Sequence, residues 1–511
     1  MPARHALRSS APPGEPDSPG HERLALALSG ASLLVVAFVA SLRDSPLQAG
    51  GAFSTELAPF TTAALFPFAV PANVLKAAAA AAIVFAALAF LGTAKAAWRG
   101  RIATRPALVL AVFFQLIALV LPVLLSRDSY SYAIDGRILG VHHANPYVAT
   151  PHDYPSDPLS TSVGARWQTS TSVYGPLFLL LSAGLTRLSS NPEVALQALR
   201  VIAVAAALAT LALVVWLTRR LAPARTAYAV VVFGLNPLVI FDTLAGGHND
   251  PLIGLAVSGA LVLVLLERRL LAVLVLTLAA LVKVIAIVPL AFLLLASARD
   301  ESGWRVRNLL APLALVTALA AATSAPFVTR ANPILFFSGL LENDGGIAPQ
   351  ILARRVAHEL GSFLAGDTGA SVLDAIVRFA FLALLLAALA VLAVRLLRAK
   401  RPDGAEPGAT WGTAFLLVLL TGAILHPWYA LWLLPIVWLL NGRSQVYALA
   451  LSTLLSISLI SSEPRHYGEV FSTLMDINRW SCMAIAAGLL VVLARDLLGR
   501  RRSFTVIGLR S

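Results

Sequence analysis

Long apolar stretches separated by short polar ones recur from residue 24 to residue 498. They predict fourteen helices, at roughly 24–42, 72–97, 106–125, 193–217, 225–243, 250–267, 269–283, 284–298, 307–327, 371–398, 411–425, 427–441, 445–461 and 478–498. Runs this long can cross ~30 Å of hydrocarbon. Within lipid they must satisfy their own backbone polar groups, which makes them helices. Residues 175–189 are apolar but short, and are expected to be re-entrant or to lie shallow at one face. The run 269–298 is expected to bend between Lys283 and Pro289, because proline interrupts the helical hydrogen-bond ladder.

One polar interruption differs from the rest. Residues 126–174, directly after an apolar helix expected over Ala107 to Leu125, hold four Asp (128, 135, 153, 157), three His (142, 143, 152) and five Tyr (130, 132, 147, 154, 174). Ionisable groups are seldom gathered against a bilayer face unless they handle something polar there.

Composition agrees with the pattern. The chain has 511 residues, 58% hydrophobic and 13% charged, against about 25% charged in a soluble domain. The expected fold is an all-α polytopic membrane protein, a bundle of about 12–14 transmembrane helices whose outer-face loops carry short helices. Residues 1–22 read as a disordered tail, 23–502 as a single transmembrane domain with outer loops 126–174 and 328–370, and 503–511 as a second tail. The first apolar run lacks a cleavage site before a soluble domain and is read as a retained span. The net charge of +13 is accounted for by Arg and Lys at span ends, so no nucleic-acid partner is expected. The single cysteine, Cys482, cannot form an intramolecular disulfide and says nothing about compartment.

The Arg/Lys clusters at 95–105, 219–225, 268–269, 299–307, 395–401, 443 and 500–502 set one threading by the positive-inside rule. Both termini are then cytoplasmic. Polar segments that are not anchors all fall on the other side: the island, Gly247 to Asp250, Lys283, the loop 328–370, His426 to Tyr429, and Ser462 to Tyr467. Seven of the nine histidines lie there. One face anchors, and the other has the means to do chemistry.

Asp128 adjoins the third span, with Arg127 beside it, and could accept a proton from a sugar hydroxyl. It could equally cap the next helix within an interfacial ion pair. Asp135 would stack on the same face seven residues later, as solvated carboxylates often do. His248, Asn249 and Asp250 follow a Gly-Gly turn and offer hydrogen bonds to hydroxyls. Asp250 before Pro251 also suits a helix start. Lys283 inside an apolar run needs an anion or must snorkel, and lipid phosphate is one such anion. Arg354 and Arg355 are further candidate cations. His426, Trp428 and Tyr429 join a polar tip to aromatic faces that could carry a pyranose or form an interfacial belt. The spacing fits no closed zinc site. A divalent ion on Asp128, Asp135 or Asp157 has little support, so no metal or cofactor is expected. No phosphate-binding loop, zinc-protease helix or nucleophile elbow is present.

The order of these motifs resembles the GT-C superfamily of polyprenyl-phosphate-sugar glycosyltransferases. They are Asp128 to Ala133 with Gly136-Arg137, Asn145-Pro146-Tyr147, Val173-Tyr174-Gly175-Pro176-Leu177, Asn236-Pro237-Leu238, His248-Asn249-Asp250, Lys283, and His426-Pro427-Trp428-Tyr429. The likeness is greatest to bacterial α-mannosyltransferases that build α-1,6 mannan and covers residues 105 to 440. It implies a multi-pass protein of the bacterial inner membrane. Its donor would be a polyprenyl-phosphate sugar and its acceptor a glycan or lipoglycan. The reaction would invert the anomeric centre, with Asp128 as base and Lys283, backed by Arg354 and Arg355, at the leaving phosphate. Arg127, Tyr130, Asp135, Tyr174, His248, Asn249, Asp250, His426, Trp428 and Tyr429 would line the substrate site. In many members the acid follows the first span, whereas here it follows the third. A flippase or transporter of a lipid-linked glycan would instead carry polar groups on both sides of the midplane and a repeat relating its halves. A polymerase or ligase of lipid-linked oligosaccharides would share the one-sidedness.

Overall fold

The computed structural model describes residues 19–49, 70–300, 303–328, 345–398, 406–458 and 469–499. Part of the predicted N-terminal tail (1–18), the C-terminal tail, residues 329–344 of the predicted loop 328–370, and the motif Ser462 to Tyr467 lie outside them. The chain is an all-α polytopic membrane protein. Among the described residues, strands amount to two pairs of two residues each.

Helices α1 (Pro19–Ser41) and α2 (Ala72–Trp98) form an antiparallel pair. Thr93 Oγ1 donates to Ala25 O at 3.0 Å and Ser29 Oγ at 3.1 Å, a polar link of the kind that joins helices in lipid. Next come α3 (Thr104–Ile117), α4 (Asp128–Gly140), α5 (Ala165–Gln168), α6 (Pro176–Thr186) and α7 (Pro192–Leu221). At the centre, α8 (Thr226–Gly234) and a π-helical turn (Leu238–Leu244) are buried throughout and meet at 41°. Pro237 breaks the ladder between them, and Asn236 Nδ2 fastens the break to Ser452 Oγ at 2.7 Å. α9 (Asp250–Leu265) then pairs with α10 (Arg269–Val282), and α11 (Ile287–Ser297) and α12 (Leu310–Ser324) follow, α12 packing on α10. The remaining helices are α13 (Pro349–Arg398), α14 (Glu406–Thr421), α15 (Gly442–Ser458) and α16 (Glu469–Gly499).

Among the described residues, six helices are long and apolar enough to cross a membrane, and the bent α8 pair adds a seventh. The most apolar windows of 306–327 and 349–398 are 0% and 6% buried inside the protein. Helices that are apolar yet unburied have lipid as their environment.

Four stretches depart from the sequence pattern. The third span ends at Ile117 rather than Leu125, because Pro122 cannot donate and biases Leu121 away from helix. Residues 427–441 form two 3-10 helices, Pro427–Trp432 and Leu434–Leu439, each opened by or containing a proline. At about 2 Å per residue these twelve residues reach about 24 Å, as far as a longer α-helix. The second half of the loop 328–370 is helical. It is the first arm of α13, which turns back at Ala365 and Gly366 with Gly361 packed on Gly369. The first helix starts at Pro19, inside the stretch read as tail.

Candidate active site

Four of the sequence-selected segments converge at the loop-bearing end of the bundle. Residues 118–127 run unwound from α3 to α4. Leu125 N donates to Leu47 O at 2.9 Å, and Ala49 N to Val123 O at 2.9 Å. Leu125 has φ 63°, a conformation costly for a residue with a Cβ and characteristic of functional sites. This segment delivers Asp128 as the first residue of α4, where the helix dipole favours a carboxylate. A second segment, the turn 245–249, begins α9. Gly247 (φ +73°) lets it close on Ser129, since a Cβ there would lie 3.1 Å from Ser129 Cβ. A third is the break at Lys283, whose backbone is extended (φ −149°, ψ 124°) between α10 and α11. The fourth, 424–432, enters as a strand pair of Ile424–Leu425 with Gly345–Gly346 and continues as the 3-10 helix.

His248 Nδ1 lies 3.5 Å from Asp128 Oδ2, with the imidazole fully buried and the Asp128 side chain 20% exposed. The His248 ring stacks on Trp428 (centroids 3.9 Å apart), and His426 stacks on the same indole at 4.6 Å. Beside them Lys283 Nζ donates to both Asp250 oxygens at 2.8 and 2.9 Å and to Asn249 Oδ1 at 3.4 Å. Trp432 Nε1 donates to Asp250 Oδ1 at 2.6 Å. Tyr429 stacks on Trp432 at 4.2 Å, and the Lys283 ammonium sits 4.7 Å over the Tyr429 ring, a favourable cation–π distance. Asp250 therefore has a full set of donors, while Asp128 keeps access to solvent.

Burial pushes the Asp128 carboxyl up. The approach of His248, with the charges of His426 and Lys283, outweighs it and holds the group below the usual carboxylate value. Asp128 is thus an accessible anion next to the buried His248 ring, with the Lys283–Asp250 pair nearby.

The other predicted residues are distributed around this centre. Tyr174 meets Tyr132 edge-on at 4.7 Å, and Gly175 N donates to Val282 O at 3.0 Å, so the Tyr-Gly-Pro motif locks the loop to the Lys283 break. Arg127 Nε donates to Ala49 O at 2.8 Å and anchors the segment leading to Asp128. Tyr130 is buried in a neighbouring cluster with Leu159 and Val163. Asp135 is buried and hydrogen-bonded to Ser172. Arg354 and Arg355 are not brought to Lys283. Arg354 Nε pairs with Asp374 at 2.6 Å, and Arg355 lies 4.7 Å over Trp480. A further island acid, Asp157, binds Arg137 at 2.8 Å and His142 at 2.7 Å, a knot that shapes the loop. No group of three potential ligands with metal-site geometry occurs among the described residues.

Three residues escaped the sequence reading. Asp242, on the π-helical turn, is fully buried, and its carboxylate has no hydrogen-bond partner among the described residues. It is close enough to Asp128, His248 and Asp250 to act on all three electrostatically. Arg200 is buried on α7 behind Asp128. Both sit in apolar runs, where the signal that singled out Lys283 applied equally. Arg166 on α5 is exposed and reaches His426 through its charge. An isolated loop arginine carries no such signal.

A family model described as alpha-(1->6)-mannopyranosyltransferase, N-terminal domain, matches residues 27–299, and that of glycosyltransferase family 87 matches residues 173–427. The chain is 29% identical over 323 residues to alpha-(1->6)-mannopyranosyltransferase A of Mycobacterium tuberculosis, covering 61% of this chain and 60% of that one. It is 29% identical over 186 residues to the Corynebacterium glutamicum protein of the same name, covering 35% and 37%. It thus spans 60% or less of the length of these two relatives. No solved structure matches. The first family model alone covers more than half of the sequence and contains Asp128, the turn 248–250 and Lys283: the chain belongs to the alpha-(1->6)-mannopyranosyltransferase family.

Proposed function

We propose that this protein transfers a mannosyl unit from a polyprenyl-phosphate-linked donor to a glycan or lipoglycan acceptor at the outer face of the bacterial inner membrane, with inversion. The observation that supports this most is the Asp128 carboxylate, kept anionic and 20% exposed next to His248, beside the Lys283–Asp250 pair. The acceptor hydroxyl gives its proton to Asp128 as its oxygen bonds to the anomeric carbon. The bond from that carbon to the phosphate oxygen breaks, and the lipid phosphate departs with the electron pair. A carboxylate of low basicity takes the proton late, once the acceptor oxygen has begun to bond and become acidic. Lys283 and Arg166 supply positive charge on the side of the leaving phosphate. Asp250 and Trp432 fix the Lys283 ammonium in advance, so that little reorganisation accompanies charge development.

Trp428 and Tyr429 hold His248, His426 and Lys283 in place through their ring faces, leaving ring edges to meet the sugar. Membranes containing the protein, given radiolabelled polyprenyl-phosphate-mannose and a mannoside acceptor, should form a mannosylated product. Asp128→Asn should lower the rate about 10²- to 10⁴-fold with donor binding retained. The acid limb of the native rate should lie below pH 4, since the carboxyl is held under its ordinary value of 3.8. No transfer by the native protein would overturn the reading, and full activity in the variant would move the base away from Asp128.

A further inference from the structure

Arg200 is among the largest fully buried side chains of the protein, 1% exposed on α7. A guanidinium in a membrane protein's interior is costly unless its donors are used. Nη2 donates to Ala118 O at 2.7 Å and to Leu121 O at 2.6 Å, and Nη1 donates to Gln197 Oε1 at 3.0 Å. Gln197, one turn earlier on the same face, sends its Nε2 to Leu119 O at 3.2 Å. All three carbonyls lie just past the end of α3, where a helix leaves acceptors without intrahelical partners. The carbon stem of Arg200 has a second contact. A Cβ on Gly247 would lie 2.9 Å from Arg200 Cγ and 3.1 Å from Ser129 Cβ. The same side chain thus holds the unwound strand that ends in Asp128 and supports the turn that carries His248.

We propose that Arg200, with Gln197 assisting, is a positioning residue that sets the Asp128 carboxylate against His248 and the acceptor. Neither residue contacts the reacting atoms. Among the described residues, the other hydrogen bonds tying this strand to another element are the backbone bonds with Leu47 and Ala49 and the one from Arg127 to Ala49 O. Without Arg200, residues 118–121 lose two of the three side-chain hydrogen bonds that α7 gives them, and Asp128 swings about the Leu47–Ala49 bridge. Displacement of about 1 Å is enough to cost about 100-fold in rate.

The role rests on the mannosyl-transfer reading, but it can be tested in two ways, one of which needs no activity. In proteoliposomes of the full chain with polyprenyl-phosphate-mannose and a mannoside acceptor, Arg200→Met should lower kcat about 100-fold per donor-binding molecule, with KM changed less than about twofold. Arg200→Lys, which keeps donors for the carbonyls, should recover about tenfold of that loss. Gln197→Met should give a milder version of the same split. In parallel, hydrogen–deuterium exchange should quicken in residues 118–131 of Arg200→Met while α9, α10 and α14 exchange as in the native protein. Native kcat in Arg200→Met, or a lysine variant no better than the methionine one, would overturn the proposal. So would unchanged exchange over 118–131, whatever the activity; exchange rising throughout would show a general support of the fold instead. A native protein that transfers no mannose removes the underlying reaction and leaves the exchange experiment to decide whether Arg200 holds the strand.

Discussion

Asp135 stands seven residues after Asp128 on the same helix, in surroundings of opposite effect. Its side chain is buried, and burial pushes the carboxyl up to about 7 against the pull of the Ser172 hydrogen bond. The unfolded chain ionises near 3.8, so the stability this site contributes is complete below about pH 4 and is lost as pH rises through 7. Asp128 and Asp157 act in the other sense. Both are held low in the fold, so their contribution is present above the ordinary carboxylate value and is lost as pH falls through the folded one. Asp135→Asn should therefore flatten the decline in melting temperature between pH 4 and 8, and superimposable curves for the two proteins would refute it. Single residues were legible in the sequence where an ionisable group interrupts hydrocarbon, as Lys283 does. The partners of Arg354 and Arg355, Asp374 and Trp480, are remote in sequence, and a cation's counter-ion cannot be read from its neighbours.

Between elements, two glycine contacts decide how the loop-bearing end closes. A Cβ on Gly136 of α4 would lie 2.7 Å from the Ser182 backbone of α6, and one on Gly175 would fall 2.1 Å from Leu281 O. The first lets α4 lie flat on α6. The second lets the outer loop dock on the chain just ahead of Lys283. Gly175→Ala should destabilise the protein by about 1–3 kcal/mol and reduce mannosyl transfer beyond the loss of folded protein, because the Lys283 break must shift. A variant with native melting temperature and rate would show the contact to be slack. Most spans could be placed from apolar runs, and the expected break at Lys283 is present. The unwound 118–127 and the 3-10 pair at 427–439 were not legible, because hydropathy registers apolar content and not hydrogen-bond pattern. Their causes, Pro122, Pro427 and Pro435, are visible only when tertiary partners for the freed carbonyls are known. For the same reason the helix opening α13 hid in a loop: its fold-back rests on Gly361 meeting Gly369.

At the scale of the whole molecule, the sequence carries a repeated pattern of basic residues between apolar runs, from which a sided topology is proposed. The lengths of α9 and α10 bear on the height at which the proposed site would lie in the membrane. These helices have 16 and 14 residues, about 24 and 21 Å of rise, against ~30 Å of hydrocarbon. They are joined by Glu267-Arg268-Arg269 at the basic end and finish at Asp250 and Lys283 at the other. On the proposed orientation, which puts the arginines at the cytoplasmic surface, the Lys283–Asp250 pair would lie about 6–9 Å beneath the opposite edge of the hydrocarbon. A lipid phosphate reaches Lys283 only if it sinks or if the outer leaflet thins around the hairpin, and thinning carries a mismatch cost that grows with acyl chain length. Transfer measured in proteoliposomes should therefore be faster in thin bilayers than in thick ones at equal donor content, and a rate indifferent to lipid length would contradict it. On the proposed function and orientation, a short hairpin would make the thickness of the surrounding membrane a determinant of turnover.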